Sequence, residues 1–407
     1  SHGLQLRIDH CITMQPFERV SGDTPPSSHS LFDAFVDWRN SLIASSRFQR
    51  WAARFPFTRW IVRKQAASLF DVMAGFVYSQ ILLACVRVNI FELLADGALS
   101  KADLQKQIAL PESGLSRLLD AAVAIRLLTK RKNGHYALGM LGAPLVGNRA
   151  LLDMIIHHGD FYRDLQDPLA LLRGDVAGKA VMAEYWPYIN GEDDPSPESL
   201  SANRVADYSR LMAHTQPLVT AEVIDSYSFV KHKHLLDIGG GQGAFVSQLV
   251  ELYPQLQCTI FDLPGVAELA NTHINELGLS NKINALGGNF FQGELPKGAD
   301  IATLIRVIFD HDDSRVSILL RNVFNALEPG ASLILAEPMA GTPGQEAMGD
   351  AYFGFYLLAM GRGRPRTQAE ISTMLQAAGF ESISLLPSAI PLNAQILHCK
   401  KPMFSVA

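Results

Sequence analysis

The chain has 407 residues, of which 48% are hydrophobic and 18% charged, and its net charge at pH 7 is −5. This length predicts two domains, and the apolar fraction excludes an intrinsically disordered protein. The negative net charge argues against nucleic-acid partners, which usually need a basic field. The four cysteines are far apart in the sequence, so we expect reduced thiols and no metal site.

The sequence also bears on location. There is no run of about 18 uncharged apolar residues, which predicts that no helix spans a membrane. We expect no signal peptide, because no basic segment followed by an apolar run occurs near the N-terminus. Both observations predict a cytoplasmic protein. Residues 1–30 are polar and rich in proline and serine, and we expect them to be mobile.

Residues 31–64 combine a helical pattern of apolar residues with a strong positive charge. From Trp38 to Lys64 there are seven basic residues and no acidic one, together with three tryptophans and three phenylalanines. A solvated charged helix needs fewer aromatic residues, so the composition favours an interfacial helix in peripheral contact with an anionic membrane face. Packing on a partner subunit is the alternative. A strongly apolar helix is predicted to follow at 69–88.

Residues 100–138 have the pattern of a winged helix. Ser100 can cap a first helix in the sequence SKAD, and a second helix with helical apolar spacing follows it. An asparagine–glycine turn between LLTKRK and HYAL then indicates a two-stranded hairpin. The second helix carries only Arg117 and Arg126 as cations, too few for strong phosphate binding. We therefore expect no nucleic-acid partner.

From His234 onward, short apolar strands alternate with helices, which predicts an α/β fold with a doubly wound parallel sheet. Strands are predicted at 235–238, 258–262, 283–288, 302–309, 332–337, 383–386 and 395–399. The predicted divisions are a mobile segment (1–30), a basic amphipathic segment (31–64), a helical winged-helix domain with connecting helices (65–230) and an α/β domain (231–407).

The stretch Asp237-Ile-Gly-Gly-Gly-Gln-Gly243 lies between the first predicted strand and a helix. Glycines at this place let the backbone approach a ligand at the helix N-terminus. Asp262 ends the next strand, where a carboxylate can accept both ribose hydroxyls of a nucleoside. These residues fit a dinucleotide or S-adenosylmethionine. Asp237 favours the second, because its charge would repel a pyrophosphate.

Six motifs occur in the order found in the caffeic-acid-type O-methyltransferases of plants and bacteria, and the chain resembles that family. They are DIGGGQG, FDLPGV (261–266), GGNFF (287–291), RVIFDHDD (306–313), LEPGASLILAEPM (327–339) and RTQAEISTMLQAAGF (366–380). With the winged-helix module, the resemblance covers residues 65–400. The run GDAYFGFYLLAMGRGRPR (349–366) and the DHDD segment are most similar to the carotenoid-pathway members of photosynthetic bacteria, the hydroxyneurosporene and demethylspheroidene O-methyltransferases.

The resemblance implies a seven-stranded, Rossmann-like methyltransferase domain and a homodimer formed through the winged-helix domain. It also implies S-adenosylmethionine as methyl donor and a hydroxyl of a large apolar acceptor, a hydroxylated carotenoid. The implied cofactor-binding residues are Asp237, Gly239, Gly241, Gly243, Asp262, Leu263, Asn289, Phe290 and Arg306. The implied acceptor-binding residues are Tyr208, Met212, Phe309, Tyr352, Phe353 and Tyr356.

The chain departs from the family pattern at two kinds of position. The family usually has Asp in place of Asn289, whose amide oxygen can still accept a hydrogen bond. Most members have a proton-accepting His in place of Phe309, which cannot take a proton. Glu337, which steadies that His in the family, is retained, and His311 stands where Trp is usual. Glu337 and His311 are therefore the candidate catalytic residues.

Several alternatives stay open at this level. Proximity and orientation of the reactants could replace a base, or the chain could be inert. Methylation of a carbon on a bacteriochlorophyll-type tetrapyrrole would relax the need for a His base. A cofactor-sensing winged-helix DNA-binding regulator is an alternative of another class. An NAD-linked oxidoreductase would leave the later motifs unexplained.

Overall fold

The structure is a computed structural model, and it describes residues 31–175, 180–182, 216–389 and 394–403. The segment 1–30, predicted to be mobile, lies outside the described residues. The chain divides into two compact units, Ser1–Tyr78 and Ser79–Ala407. This division falls inside one helix, whereas the sequence placed a boundary at 64/65.

The described part of the first unit consists of three helices joined by Ser45 and by a short turn at 55–58. It contains α1 (Leu31–Ala44), α2 (Ser46–Arg54) and the first part of α3 (Arg59–Arg87). Ser45 separates the first two helices, because its hydroxyl accepts the Phe48 N–H and caps the second. The apolar helix predicted to begin at residue 69 begins at Arg59.

Helix α3 corrects one expectation from the sequence. By length and composition alone it could cross a membrane, and most of it is not buried. The search for uncharged runs missed it because Asp71 interrupts the apolar stretch. A single helix of this kind is weak support for a membrane span, because a helix that packs on another subunit has the same composition.

The predicted winged helix is confirmed. The helical part of the second unit contains α4 (Ile90–Leu93), α5 (Lys101–Gln107), α6 (Glu112–Ala124), β1 (Leu128–Lys130), β2 (Tyr136–Leu138), α7 (Arg149–Asp164) and α8 (Pro168–Arg173). Strands β1 and β2 pair antiparallel, and Ser100 Oγ accepts the Asp103 N–H at 3.1 Å as the cap of α5. Leu104, Leu115 and Leu119 are fully buried in the core of this module.

The rest of the second unit is the predicted doubly wound α/β domain. Its strands are β3 (His234–Ile238), β4 (Gln257–Asp262), β5 (Ile283–Gly287), β6 (Ile301–Ile305), β7 (Ser332–Glu337), β8 (Glu381–Leu386) and β9 (Gln395–Lys400). They form one seven-stranded sheet in the order β5-β4-β3-β6-β7-β9-β8. Strands β3 to β7 run parallel, and β9 runs antiparallel to both β7 and β8.

This part of the chain also contains helices and one irregular turn. They are α9 (described at 216–226), α10 (Ala244–Leu252), α11 (Pro264–Glu276), α12 (Asp313–Ala326), a π-helical turn (Ala347–Tyr352), α13 (Phe353–Met360) and α14 (Gln368–Ala378). The strand order reverses between β3 and β6. Ligands of such sheets bind at the carboxyl ends of the strands beside this switch point, so the residues that end β3, β4, β6 and β7 define the candidate site.

Strand β6 ends at Ile305, before the predicted end at residue 309. Arg306 has a φ of 57°, in the left-handed region that strands do not use. The N–H groups of Val307 and Ile308 donate to the Glu337 carboxylate. A side-chain acceptor on the neighbouring strand thus ends β6, which a reading of apolar residues alone cannot detect.

Candidate active site

The glycine loop after β3 passes three times through the left-handed region, with φ of 70° at Gly239, 55° at Gly241 and 83° at Gly243. A Cβ on Gly239 would lie 2.8 Å from Val307 Cγ2, and one on Gly243 would lie 2.8 Å from Ile260 Cδ1. Both the conformation and the space therefore require glycine. The loop leads into the N-terminus of α10, where a ligand can meet backbone N–H groups.

Asp262, at the end of β4, fixes this loop. Its Oδ2 accepts the Gly241 N–H at 2.9 Å, and its Oδ1 accepts the Leu263 N–H at 2.7 Å. The residue is 4% exposed. Because each carboxylate oxygen can accept a second hydrogen bond, Asp262 can hold the loop and still accept ligand hydroxyls.

Asp237 lies directly before the loop and is buried. Its Oδ1 accepts the Thr303 hydroxyl at 2.6 Å, whereas its Oδ2 has no hydrogen-bond partner among the described residues. Burial, and to a lesser extent Asp262, raises the pKa of Asp237 to about 7. A Cβ on Gly240 would lie 2.3 Å from the same Oδ2. A buried orphan oxygen beside bare backbone fits the cationic methionine part of S-adenosylmethionine.

Asn289 and Phe290 follow β5 at the same edge of the sheet. Asn289 Oδ1 accepts the Phe291 N–H at 2.9 Å, which closes a local turn. Phe290 is buried in the core of the sheet, and its ring centroid lies 4.7 Å from that of Phe291. Of these two predicted cofactor-binding residues, Asn289 therefore lies at the edge of the sheet and Phe290 in the packed interior.

His311 is buried and packs against the rings of Phe290 and Phe291. Its ring meets Phe291 edge to face at 4.8 Å. Burial, followed by the charges of three arginines, lowers the pKa of His311 to about 4. The arginines are Arg315, Arg362 and Arg366. A proton accepted by His311 would add a buried positive charge to a positive surrounding, which makes His311 a poor base.

Glu337 ends β7 and is 1% exposed. Its Oε1 accepts the N–H groups of Val307 and Ile308, both at 2.8 Å, and its Oε2 has no hydrogen-bond partner among the described residues. Burial raises the pKa of Glu337 to about 7, although the two backbone bonds and the charges of Arg306 and Arg366 oppose the rise. Glu337 therefore shapes the turn after β6 and titrates near neutral pH.

Two buried groups around this turn were not predicted from the sequence. Burial, and next the charge of Glu337, raises the pKa of Asp310, while Arg306 opposes the rise. Arg366 is 2% exposed and donates to the Ile308 carbonyl at 2.8 Å. Its position at the start of the RTQAEISTML motif was the available signal, but a single arginine there gives no indication of burial.

Four of the six predicted acceptor residues lie in one apolar cluster. Three of them are on the π-helical turn and on α13, which follows it. Tyr352, Phe353 and Tyr356 pack in one cluster with Phe309. The rings of Phe309 and Phe353 meet edge to face at 6.3 Å, and those of Tyr352 and Tyr356 stack at 5.9 Å. Two further predicted residues lie outside the described part of the chain, Tyr208 and Met212.

Two histidines of α7 reach this cluster. His158 Nε2 lies 2.7 Å from Tyr352 Oη, and His157 Nε2 lies 3.2 Å from Tyr356 Oη. Neither histidine was predicted to be a site residue. No local pattern could have indicated such a role, because each partner lies more than 190 residues away along the chain.

The residues predicted to bind the cofactor and those predicted to bind the acceptor come together around the turn after β6. The glycine loop approaches the turn after β6 through Gly239 and Val307. On the other side of that turn, the charge of Arg306 acts on Glu337, Asp310 and Tyr352. The arrangement can hold a cationic nucleoside beside an apolar cluster.

Comparison with protein families agrees with this geometry. The chain matches the O-methyltransferase domain over residues 162–381 and the O-methyltransferase dimerisation domain over residues 70–148. The first match covers more than half of the chain. The second includes the winged helix and the exposed apolar part of α3, and it supports the predicted homodimer.

Two curated relatives cover most of the chain. The demethylspheroidene O-methyltransferase of Cereibacter sphaeroides is 37% identical over 361 residues, which is 89% of this chain and 94% of the relative. The demethylspheroidene O-methyltransferase of Rhodobacter capsulatus is 35% identical over 366 residues, which is 90% of each chain.

Solved structures share the fold. Human N-acetylserotonin methyltransferase in complex with S-adenosylmethionine has a TM-score of 0.63 at 21% identity, and the match covers 83% of this chain and 98% of that one. The pyocyanin biosynthetic protein PhzM has a TM-score of 0.67 at 21% identity, over 83% and 99%. Neither the regulator nor the oxidoreductase is favoured by these matches. The chain belongs to the S-adenosylmethionine-dependent O-methyltransferase family.

Proposed function

We propose that the chain transfers the methyl group of S-adenosylmethionine to a hydroxyl of a carotenoid of the demethylspheroidene type. The observation that carries this proposal is the identity of 37% and 35% with two demethylspheroidene O-methyltransferases along 89% and 90% of the chain. The aromatic cluster around Phe309 supports it, because a carotenoid offers a long hydrocarbon surface and few polar groups. The bound cofactor supplies an electrophilic methyl group.

We propose that the residues implied by the family form the cofactor site. Asp237 and the three left-handed glycines surround the methionine part, and Asp262 with Leu263 holds the ribose and adenine. Asn289 and Phe290 flank the adenine, Phe290 by packing behind it, and Arg306 reaches the cofactor carboxylate. Two observations support this arrangement. Asp237 Oδ2 has no hydrogen-bond partner among the described residues, and Asp262 accepts the N–H groups of Gly241 and Leu263.

We propose that the negative charge of Glu337 is required for turnover. It holds the turn that carries Phe309 and opposes the charge of Arg306 in a buried place, where such a charge acts strongly. Its place in the turn and its charge make it the better supported of the two predicted catalytic residues. His311 contributes less in this proposal, because its surroundings disfavour a proton on its ring.

We propose that the homodimer is cytoplasmic and contacts the membrane face through residues 31–64. Trp38, Trp51 and Trp60 are each more than half exposed in this segment, and seven basic residues accompany them. Exposed tryptophans among cations are typical of helices that lie in the interface of an anionic bilayer. At the membrane surface the enzyme would have access to a membrane-soluble carotenoid.

The acceptor is tested by product analysis. We expect the purified chain, incubated with methyl-labelled S-adenosylmethionine and demethylspheroidene in detergent, to give a carotenoid with one labelled methyl ether by mass spectrometry. A bacteriochlorophyll-type tetrapyrrole serves as the competing acceptor. Label on a tetrapyrrole carbon would favour the alternative enzyme, and absence of label from both would contradict the proposed function.

The cofactor site is tested by Asp262→Ala. We expect its dissociation constant for S-adenosylmethionine to rise at least roughly tenfold in titration calorimetry, because hydrogen bonds to a charged acceptor and the tether of Gly241 are lost. Asp300→Ala is the matched control, since the Asp300 carboxylate accepts the N–H groups of Lys233 and His234 at the opposite edge of the sheet. Equal affinities in the two variants would contradict the assignment.

Membrane contact is tested with the three tryptophans. We expect their fluorescence to shift to the blue with anionic vesicles, to shift less at high salt, and not to shift with neutral vesicles. Arg47→Gln, Arg50→Gln and Arg54→Gln combined should weaken the shift without changing the dimer. A spectrum indifferent to anionic vesicles would contradict membrane contact and favour packing on the partner subunit.

A further inference from the structure

The reaction leaves one proton to be placed. When the acceptor oxygen bonds to the methyl group, the sulfur–methyl bond breaks with its electron pair staying on sulfur, and the hydroxyl proton must leave. Phe309 cannot accept it, and Glu337 is sealed from solvent with one oxygen committed to the backbone. A proton acceptor inside the apolar cluster would meet this need directly.

His158 and Tyr352 are a polar pair in this cluster. His158 Nε2 lies 2.7 Å from Tyr352 Oη, and the two rings meet edge to face at 5.6 Å. Tyr352 packs with Phe161 and Phe353 and belongs to the same cluster as Phe309. Both residues of the pair are partly buried and neither is fully enclosed.

The fold fixes Tyr352 at this place. Tyr352 is the last residue of a π-helical turn, a distortion found often at functional sites. Asp350 Oδ2 in that turn accepts the Gly341 N–H at 2.9 Å, which ties the turn to the loop after β7. A Cβ on Gly349 would lie 2.4 Å from the Met339 carbonyl oxygen, so the turn packs closely on the same loop.

The protonation states suit a transfer from Tyr352 to His158. Burial alone lowers the pKa of the His158 ring, without the arginine charges that also act on His311, so at neutral pH the ring is neutral and its Nε2 can accept the hydrogen bond of Tyr352. Burial raises the pKa of Tyr352, and the charge of Arg306 opposes the rise, so the phenol keeps its proton. Among the described residues, Tyr356 stacks on Tyr352, the charge of Arg306 acts on Tyr352, and His157, the residue before His158, contacts Tyr356.

We propose that the His158–Tyr352 pair takes up the proton of the acceptor hydroxyl. In the tautomer with hydrogen on Nδ1, the phenol donates to His158 Nε2 and keeps a lone pair for the acceptor. As the oxygen–methyl bond forms, the hydroxyl proton passes to the phenol oxygen and the phenol proton passes to Nε2. The pair ends as neutral tyrosine and imidazolium, which balances the reaction.

This proposal rests on the proposed function, and the test is chosen to separate the two. The single-turnover rate of methyl transfer to the hydroxylated carotenoid is measured against pH for the wild type and for His158→Gln. Glutamine keeps a hydrogen-bond partner for Tyr352 but cannot accept a proton. We expect a loss of roughly 10²-fold at neutral pH, with unchanged S-adenosylmethionine affinity.

The pH profile gives a readout that a merely structural role would not change. As the pH falls through the pKa of His158, which lies below the ordinary histidine value of 6.5, the wild-type rate should fall more steeply than that of His158→Gln. The reason is that only the wild type also loses a proton acceptor there. Tyr352→Phe should lower the rate at least roughly tenfold, and it decides the question if His158→Gln does not fold.

His157→Gln is the matched control, because His157 makes the parallel contact with Tyr356 one position earlier. It should keep the wild-type steepness of the acid limb. Wild-type steepness in His158→Gln, or a wild-type rate in Tyr352→Phe, would overturn this proposal. A wild-type chain that methylates no carotenoid would overturn the proposed function instead.

Discussion

The site depends on one carboxylate that closes the end of a strand. Glu337 accepts the N–H groups of Val307 and Ile308, which lie on the chain that leaves the neighbouring strand β6. Strands β6 and β7 are paired in parallel up to this point, so the carboxylate replaces the next backbone acceptor of the ladder. The turn that results places Val307 against the glycine loop and Phe309 in the aromatic cluster.

A charged side chain in such a place must be offset, because an isolated buried charge is costly. Arg306 lies on the same turn and lowers the pKa of both Glu337 and Asp310, opposing the effect of burial. Arg366 supports the turn from the loop before α14 by donating to the carbonyls of Ile308 and His311. These buried polar groups hold the turn after β6 in place. The glycine loop packs against Val307 of this turn, and Phe309 joins the aromatic cluster.

Much of this architecture could be predicted from the sequence, because alternation, glycine spacing and motif order are local signals. Strand β7 and the winged helix lie where they were predicted. The end of β6 was predicted wrongly, since the acceptor that ends it is a side chain about 30 residues later. The pairs made by His157 and His158 were missed for the same reason, because contacts between distant helices leave no pattern in either helix.

The most direct test of this account is the steady-state turnover of Glu337→Gln. Glutamine can still accept the N–H groups of Val307 and Ile308 through its amide oxygen, but it carries no charge and takes no proton. The account predicts that kcat falls by roughly 10²-fold while the affinity for S-adenosylmethionine stays unchanged, with a smaller loss in His311→Ala. Full turnover in Glu337→Gln, or a loss explained by weaker cofactor binding, would contradict it.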